Sequence, residues 1–230
     1  CYNADAGIVI SASHNTFEYN GIKFFNGNGF KLDDLLEEKI EDLIISSVDV
    51  NSHITGEEIG KCLEAEGNAL ELYANHLLET ADFRLDGKKV VLDCANGASY
   101  QVAPKVYEAL GAEVLAIGDR PDGTNINDAC GSTHPEKLQA AVLKHHADIG
   151  LAFDGDADRL IVVDERGRVL DGDKTIAICA KMLKAEGRLK DDKVTVTVMS
   201  NMGFHKAMEA EGISVDVTGV GDRYVLEQML

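Results

Sequence analysis

Hydrophobic residues recur along this chain at two spacings, which together predict an α/β protein. Short apolar runs bounded by turn residues predict strands, and longer stretches with apolar residues three or four positions apart predict helices. From residue 89 onwards the two kinds of element alternate, which predicts parallel sheets covered by helices. The strand at 7–11 is an unbroken apolar run and is predicted to be buried. Strands are predicted at 7–11, 22–25, 89–94, 113–117, 148–153, 193–198 and 214–217, helices at 32–45, 69–81, 101–110, 135–145, 174–185 and 204–211, and a hairpin of two short strands around 165–168.

Two places divide this pattern into units. Residues 46–58 are polar and unpatterned, which indicates a linker between domains. A second α/β unit begins near residue 172, after the predicted hairpin. The chain begins with Cys1 instead of Met and ends inside a predicted helix, so we expect a fragment of a longer protein.

Composition and charge narrow the class of protein. The 230 residues are 45% hydrophobic and 27% charged, as in an ordinary soluble domain, and the net charge of −18 leaves no basic stripe for nucleic acid. Five scattered cysteines without a CxxC pair argue against a disulfide framework or a zinc site and for a reducing compartment. No apolar run approaches the length of about 18 residues that a membrane span needs, and no signal peptide is visible. We therefore expect a cytoplasmic protein.

The acidic segment from Asp154 to Arg159 holds the clearest candidate chemistry. Asp154, Asp156 and Asp158 alternate between two predicted strands, so their side chains can point the same way and converge. Carboxylates that lie so close repel one another unless a cation compensates them, and a hard divalent cation prefers oxygen ligands. The segment therefore predicts a Mg²⁺ site, with Arg159 placed to contact a phosphate.

The segment is also compatible with two other structures. An EF-hand would also begin with alternating Asp residues, but it needs Gly where Arg159 stands and helices on both flanks, whereas strands are predicted here. A plain surface loop with Asp residues as turn formers is the second alternative. The metal site is favoured over both.

A second polar segment, Ser11 to Asn15, directly follows the first predicted strand. Ser13 and His14 stand at a strand end, where ligand sites gather in α/β folds, although turn-forming residues alone would also explain them. Lys23 lies in an otherwise apolar strand. It is predicted either to extend its ammonium group into solvent or to serve as a desolvated acid/base with a lowered pKa.

Two further segments are less specific. Asn96-Gly97 follows a strand and is predicted to form a tight turn, with an anion-binding helix N-terminus as the alternative. Asp222-Arg223 receives no role from the sequence itself.

Taken together, the polar segments resemble those of the α-D-phosphohexomutases, in the right order over essentially the whole chain. One departure is Thr16, which stands where the family commonly has Pro and leaves that loop freer. Further segments resemble the branch of the family that acts on amino sugars. The segments that resemble the family are Ser11-Ala12-Ser13-His14-Asn15, Asn20-Gly21-Ile22-Lys23-Phe24-Phe25 and Asp154-Gly155-Asp156-Ala157-Asp158-Arg159; those that resemble the amino-sugar branch are Asn125-Ile126-Asn127, Cys130-Gly131-Ser132-Thr133-His134 and Val220-Gly221-Asp222-Arg223-Tyr224-Val225.

The resemblance implies a reaction and a set of roles. The reaction interconverts glucosamine 6-phosphate and glucosamine 1-phosphate through a 1,6-bisphosphate, and it feeds UDP-N-acetylglucosamine and cell-wall precursor synthesis. The substrate partners are therefore a phosphorylated hexosamine and its bisphosphate. The implied roles are phosphoserine for Ser13, general acid/base for Lys23, contact with the transferred phosphoryl group for His14 and Arg159, and Mg²⁺ ligation for Asp154, Asp156, Asp158 and a phosphate oxygen on Ser13.

The resemblance also implies an architecture of several α/β domains, with mixed sheets covered by helices. Residues 1–50 would end domain 1, 51–171 would form domain 2, and 172–230 would begin domain 3. The family's sugar-reading loop and its phosphate-binding domain would lie further on, so the 230-residue piece is expected to be inactive by itself. Alternative functions are a phosphomannomutase or phosphoglucomutase, and a non-catalytic module that binds a divalent metal.

Overall fold

The computed structural model of the protein describes residues 3–46, 55–63 and 67–230. Strands and helices alternate through most of this part of the chain, which confirms the α/β class. Most elements lie within two residues of their predicted bounds. The strands are β1 Ala6–Ser11, β2 Gly21–Asn26, β3 Lys89–Asp93, β4 Glu113–Ile117, β5 Ile149–Phe153, β6 Leu160–Asp164, β7 Val169–Leu170, β8 Lys193–Thr197 and β9 Ser214–Thr218, and the helices are α1 Asp34–Ile45, α2 Ala69–Thr80, α3 Ser99–Ala109, α4 Glu136–His145, α5 Gly172–Ala185, α6 Met202–Ala210 and α7 Asp222–Met229.

The largest sheet has five strands in the order β4-β3-β5-β6-β7. β4, β3 and β5 are parallel, as the alternation predicted, and β6 and β7 add an antiparallel edge that makes the sheet mixed. Leu138 and Val142 of α4 pack on one face of the sheet, and Ala103 of α3 packs on the other. Leu138 and Val142 are fully buried, and burial of such a side chain stabilises a fold by about 1.5–3 kcal/mol.

The carboxyl ends of β3 and β5 lie side by side at one edge of this sheet. Asp93 at the end of β3 pairs with Ala152 near the end of β5. The turn after β3 and the acidic loop after β5 therefore leave the sheet at the same place, which is where ligands bind in α/β folds.

β1 and β2 form a separate antiparallel pair, and the predicted burial of the first strand is wrong. Ile8 and Ile10 are 65% and 72% exposed. Two strands alone give each other little cover, because a sheet face becomes buried only when another layer packs on it. The apolar run identified the strand correctly, but it could not show what covers the strand.

The last part of the described chain is a second α/β unit, as predicted. β8 and β9 pair in parallel, and Val196, Phe204 and Met208 form their core with α5 and α6. The predicted linker at 46–58 lies mostly outside the described residues, which resume at 55.

The described cysteines are all free thiols. Cys94 and Cys130 are buried, and burial raises the pKa of the Cys94 thiol to about 12 and that of Cys130 to about 11. In the described ranges, no helix has both the length and the hydrophobicity needed to cross a bilayer.

Candidate active site

The Ser13 segment and the acidic segment meet in the folded chain, although they belong to different sheets. The backbone N–H of Gly155 donates to the carbonyl of Ser13 at 2.9 Å. The side-chain amide of Asn127 donates to the carbonyls of Ser13 at 2.8 Å and Asn15 at 2.7 Å. These contacts bring the two segments into one site at the carboxyl edge of the five-stranded sheet.

The three carboxylates of the acidic loop converge as the alternation predicted. Asp154, Asp156 and Asp158 each offer an oxygen, and these oxygens all lie within 4.8 Å of one another. Ala157 adopts a left-handed φ of 59°, which turns the loop tightly between the second and third carboxylates. This group of residues is called the Asp triad below.

The Asp triad fits a divalent cation. Oδ2 of Asp154 and Oδ1 of Asp156 are buried and accept no hydrogen bond within the described part of the chain. Burial raises the pKa of Asp154, although its carboxylate accepts a hydrogen bond from the backbone N–H of Arg159 at 3.1 Å. A cation would satisfy both oxygens and offset the cost of burying charge.

Lys23 extends from β2 into the Asp triad. Its Nζ lies 2.5 Å from Oδ2 of Asp156 and 3.4 Å from Oδ2 of Asp158. The hydrogen bond to Asp156 raises the pKa of Lys23, so the alternative of a lowered pKa is wrong in this structure. Burial alone would raise the pKa of Asp156, but the hydrogen bond and charge of Lys23 outweigh it and the pKa is lowered. Lys23 is therefore held as a protonated side chain that donates a hydrogen bond to a carboxylate.

The Ser13 hydroxyl lies on a strained turn at the end of β1. Ser13 has a φ of 51°, in the left-handed region that non-glycine residues seldom occupy, and its Oγ lies 3.4 Å from Nδ1 of His14. The Ser11 hydroxyl accepts from the N–H of Ser13 at 2.8 Å and donates to Asp156 at 3.1 Å. The structure thus links the Ser13 turn to the Asp triad through Ser11, whereas Arg159 is exposed beside it.

The turn after β3 packs against the backbone of the acidic loop. Ala95 and Asn96 adopt left-handed φ angles, and Gly97 donates to the carbonyl of Cys94 at 2.8 Å, so the predicted turn is confirmed. Gly97 is required here, because a Cβ on it would lie 2.3 Å from the carbonyl oxygen of Gly155. This close approach of the two backbones fixes the position of the acidic loop relative to the turn after β3.

Asp222 and Arg223, which the sequence left without a role, form ion pairs with Lys31 and Asp34. The carboxylate of Asp222 accepts from Lys31 at 2.8 Å, and Arg223 pairs with Asp34. These contacts join the start of α7 to the chain around α1.

Sequence reasoning missed Ser11 and Asn127 as members of the site. Ser11 lies in a polar segment and Asn127 in a segment that resembles the family, but neither receives a role of its own from the sequence, because Ser and Asn in loops usually serve as turn formers. The contact of Asn127 with Ser13 spans 114 positions, and no local pattern reveals such a pair.

The fold and site define a class of protein. Family models of three phosphoglucomutase/phosphomannomutase alpha/beta/alpha domains match the chain, domain I over residues 1–49, domain II over 71–167 and domain III over 171–230. The chain belongs to the phosphoglucomutase/phosphomannomutase family.

Within this family the chain is similar to phosphoglucosamine mutases. It is 55% identical to that of Brevibacillus brevis over 228 residues, which are 99% of this chain and 50% of the relative. The chain spans about half the length of the curated relatives it matches.

Two solved structures share the fold. A phosphoglucomutase/phosphomannomutase family protein from Burkholderia thailandensis has a TM-score of 0.78 at 24% identity, over 98% of this chain and 47% of that one. The N-acetylphosphoglucosamine mutase of Aspergillus fumigatus, solved with GlcNAc-6P and magnesium, has a TM-score of 0.67 at 18% identity, over 97% of this chain and 57% of that one.

A methyl group on Gly155 is expected to separate the two halves of the site. In Gly155→Ala the new Cβ would lie 2.6 Å from the carbonyl oxygen of Ser13 and 2.9 Å from Nδ2 of Asn127, so the Ser13 turn must move. A displacement of about 1 Å is enough to slow a positioned reaction on the order of 100-fold. Mutase activity of the complete gene product measures the effect.

Gly172→Ala is the matched control for this substitution, because a Cβ there meets no atom of the described residues within 4 Å. Activity should be unchanged in the control. Equal activity in both variants would show that the close approach at Gly155 does not matter.

Proposed function

We propose that this chain carries the phosphoserine and metal loops of a phosphoglucosamine mutase, which interconverts glucosamine 6-phosphate and glucosamine 1-phosphate. The observation that carries the proposal is the meeting of the Ser13 turn, Lys23 and the Asp triad in one site. The identity with the Brevibacillus brevis enzyme supports the choice of sugar.

Ser13 is proposed to carry the phosphoryl group as a phosphoserine. Its phosphate ester breaks as a hydroxyl of the sugar monophosphate attacks phosphorus, which yields the 1,6-bisphosphate. The bisphosphate then returns its other phosphate to Ser13, and the sugar monophosphate that remains leaves as the product. In the first transfer the Ser13 oxygen takes up a proton and the sugar hydroxyl loses one, and the second transfer reverses both changes.

Lys23 is proposed to be the general acid/base of these transfers. Because Asp156 raises its pKa, Lys23 begins as the protonated partner, able to donate to the departing oxygen and to recover a proton from the attacking hydroxyl. His14 and Arg159 are proposed to contact the transferred phosphoryl group, Arg159 through the planar donor pair of its guanidinium.

The Asp triad, together with a phosphate oxygen on Ser13, is proposed to hold Mg²⁺. Bound there, the cation would neutralise charge on the transferred phosphoryl group. The three carboxylates would orient it beside the Ser13 turn, and the orphaned oxygens of Asp154 and Asp156 support this assignment. The related Aspergillus fumigatus enzyme was solved with magnesium.

The wider assignment follows from the family. Residues 1–50, 51–171 and 172–230 are proposed to belong to domains 1, 2 and 3, and the family models lie within these bounds except at residue 171. The whole protein is proposed to act in the cytoplasm, where its product would enter UDP-N-acetylglucosamine and cell-wall precursor synthesis.

A coupled mutase assay on the complete gene product tests this function. With Mg²⁺ present, we expect kcat/KM for glucosamine 6-phosphate to exceed that for glucose or mannose 6-phosphate by at least about 100-fold, because a site built for an amino group rejects substrates that lack it. Preference for glucose or mannose would keep the mechanism and overturn the substrate. Metal binding without turnover of any sugar would indicate a non-catalytic module.

A further inference from the structure

The left-handed backbone of Ser13 needs an external hold. A φ of 51° is unfavourable for a serine, and such strain persists at functional sites only where surrounding contacts enforce it. Two donors meet the Ser13 carbonyl oxygen, the N–H of Gly155 at 2.9 Å and the side-chain amide of Asn127 at 2.8 Å. The Ser13 turn is therefore fixed from the side of the acidic loop.

Both hydrogen bonds that the side-chain NH₂ group of Asn127 donates go to this turn. Its Nδ2 donates to both Ser13 and Asn15, while its Oδ1 accepts nothing within the described residues. The opposite amide orientation would set Oδ1 against two carbonyl oxygens, which would repel it. The side chain is 4% exposed, and its backbone N–H is anchored to the carbonyl of Ala95 at 2.9 Å.

We propose that Asn127 is a positioning residue that holds Ser13 in its strained conformation and so aims the hydroxyl for phosphoryl transfer. The inference rests on the proposed function and deepens it. Among the described contacts, Asn127 makes no hydrogen bond to the Asp triad, so it acts on the serine and not on the metal ligands.

Few residues can replace Asn127. The position has a φ of 56°, which Gly, Asn and Asp tolerate better than other residues, and it must supply two N–H donors without a charge. Asn127→Gly keeps the backbone and removes the donors. Asn127→Asp keeps the backbone conformation and the side-chain shape, but it places a carboxylate oxygen against the carbonyl oxygens of Ser13 and Asn15.

The test follows phosphorylation of Ser13 in the complete gene product. Glucose 1,6-bisphosphate is the donor, and mass spectrometry of the Ser13 peptide gives the transfer rate at each donor concentration. We expect the maximal rate to fall on the order of 100-fold in both variants. The half-saturating concentration of glucose 1,6-bisphosphate should stay within about twofold of the wild type in both variants. The Mg²⁺ affinity of Asn127→Gly, measured by calorimetry, should also stay within about twofold of the wild type.

Asn125→Asp is the matched control. It introduces the same charge two positions away, at a side chain whose hydrogen bonds to described residues all lie within its own loop, to Asp122 and Arg120. Its transfer rate should equal that of the wild type. A rate in Asn127→Gly equal to the wild type, or a loss of rate accompanied by loss of Mg²⁺ affinity and of thermal stability, would overturn the inference.

Hydrogen exchange separates this inference from the proposed function. In Asn127→Gly, the backbone amides of residues 12–16 should exchange faster than in the wild type, while those of 89–93 stay unchanged. If wild-type Ser13 takes up no phosphate, the proposed function fails, and faster exchange would still support the hold of Asn127 on the turn. Unchanged exchange at 12–16 would overturn it.

Discussion

Ser13→Ala is expected to abolish mutase turnover, lowering kcat by at least about 10⁴-fold. Without the hydroxyl the protein has no group at this position to receive or return a phosphate. The fold should survive, because the one hydrogen bond of the Ser13 hydroxyl in the described chain is the 3.4 Å contact with His14. The backbone hydrogen bonds of Ser13 to Ser11, Gly155 and Asn127 remain. A coupled assay and a thermal melt of the complete gene product measure both effects.

Ser46→Ala is the control for loss of a hydroxyl elsewhere, since the Ser46 hydroxyl is exposed and, among the residues that the structure describes, donates only to a carbonyl of its own helix. Its activity should match the wild type. Substantial turnover by Ser13→Ala, with the melting temperature unchanged, would place the phosphoryl carrier on another residue.

The elements of the fold were largely predictable because each has a local signal. Asp33 caps the start of α1 by accepting from Leu36 N–H, and Asp171 caps α5 in the same way, so these helices begin at side chains visible in the sequence. The burial of β1 was not predictable. Burial depends on which other elements pack on the strand, and a hydrophobic run carries no information about those elements.

In the candidate site, too, the features with a local signal were predictable and those that depend on distant residues were not. The convergence of the Asp triad was predicted from the alternating Asp residues of one loop, although the structure achieves it through a tight turn at Ala157 and not through extended backbone. The pKa of Lys23 was not predictable, because it depends on Asp156, 133 positions away, meeting the lysine at 2.5 Å. Desolvation by neighbouring aromatic residues was the only cause visible in the sequence, and it has the opposite sign.

Asn127 was partly predictable: its backbone conformation has a local signal, but its hydrogen-bond partners do not. Its left-handed backbone could be expected of an Asn in a loop rich in Gly, Asn and Asp. Its partners could not, since the carbonyls it binds belong to a turn at the end of another sheet. Residues that position others are recognised only after the fold has brought both partners together.

Asp154→Asn is expected to remove metal-dependent activity while leaving the metal-free protein at least as stable as the wild type. Burial raises the pKa of Asp154, so its charged form costs folding free energy at neutral pH, and that cost disappears as the pH falls through the raised value. A neutral amide of the same shape removes the cost at every pH. It also removes a ligand charge, so turnover should fall on the order of 10³-fold.

Thermal melts with and without Mg²⁺ separate these two effects. A ligand that binds only the folded protein raises its stability, so Mg²⁺ should raise the melting temperature of the wild type and leave that of Asp154→Asn unchanged. EDTA should reduce wild-type turnover to the level of the variant. Asp86→Asn changes the net charge equally at an exposed ion pair with Arg84 and should respond to Mg²⁺ like the wild type. A Mg²⁺-dependent rise in Asp154→Asn equal to that of the wild type would show that the cation binds elsewhere, because the buried oxygens of the Asp triad could then not be its ligands.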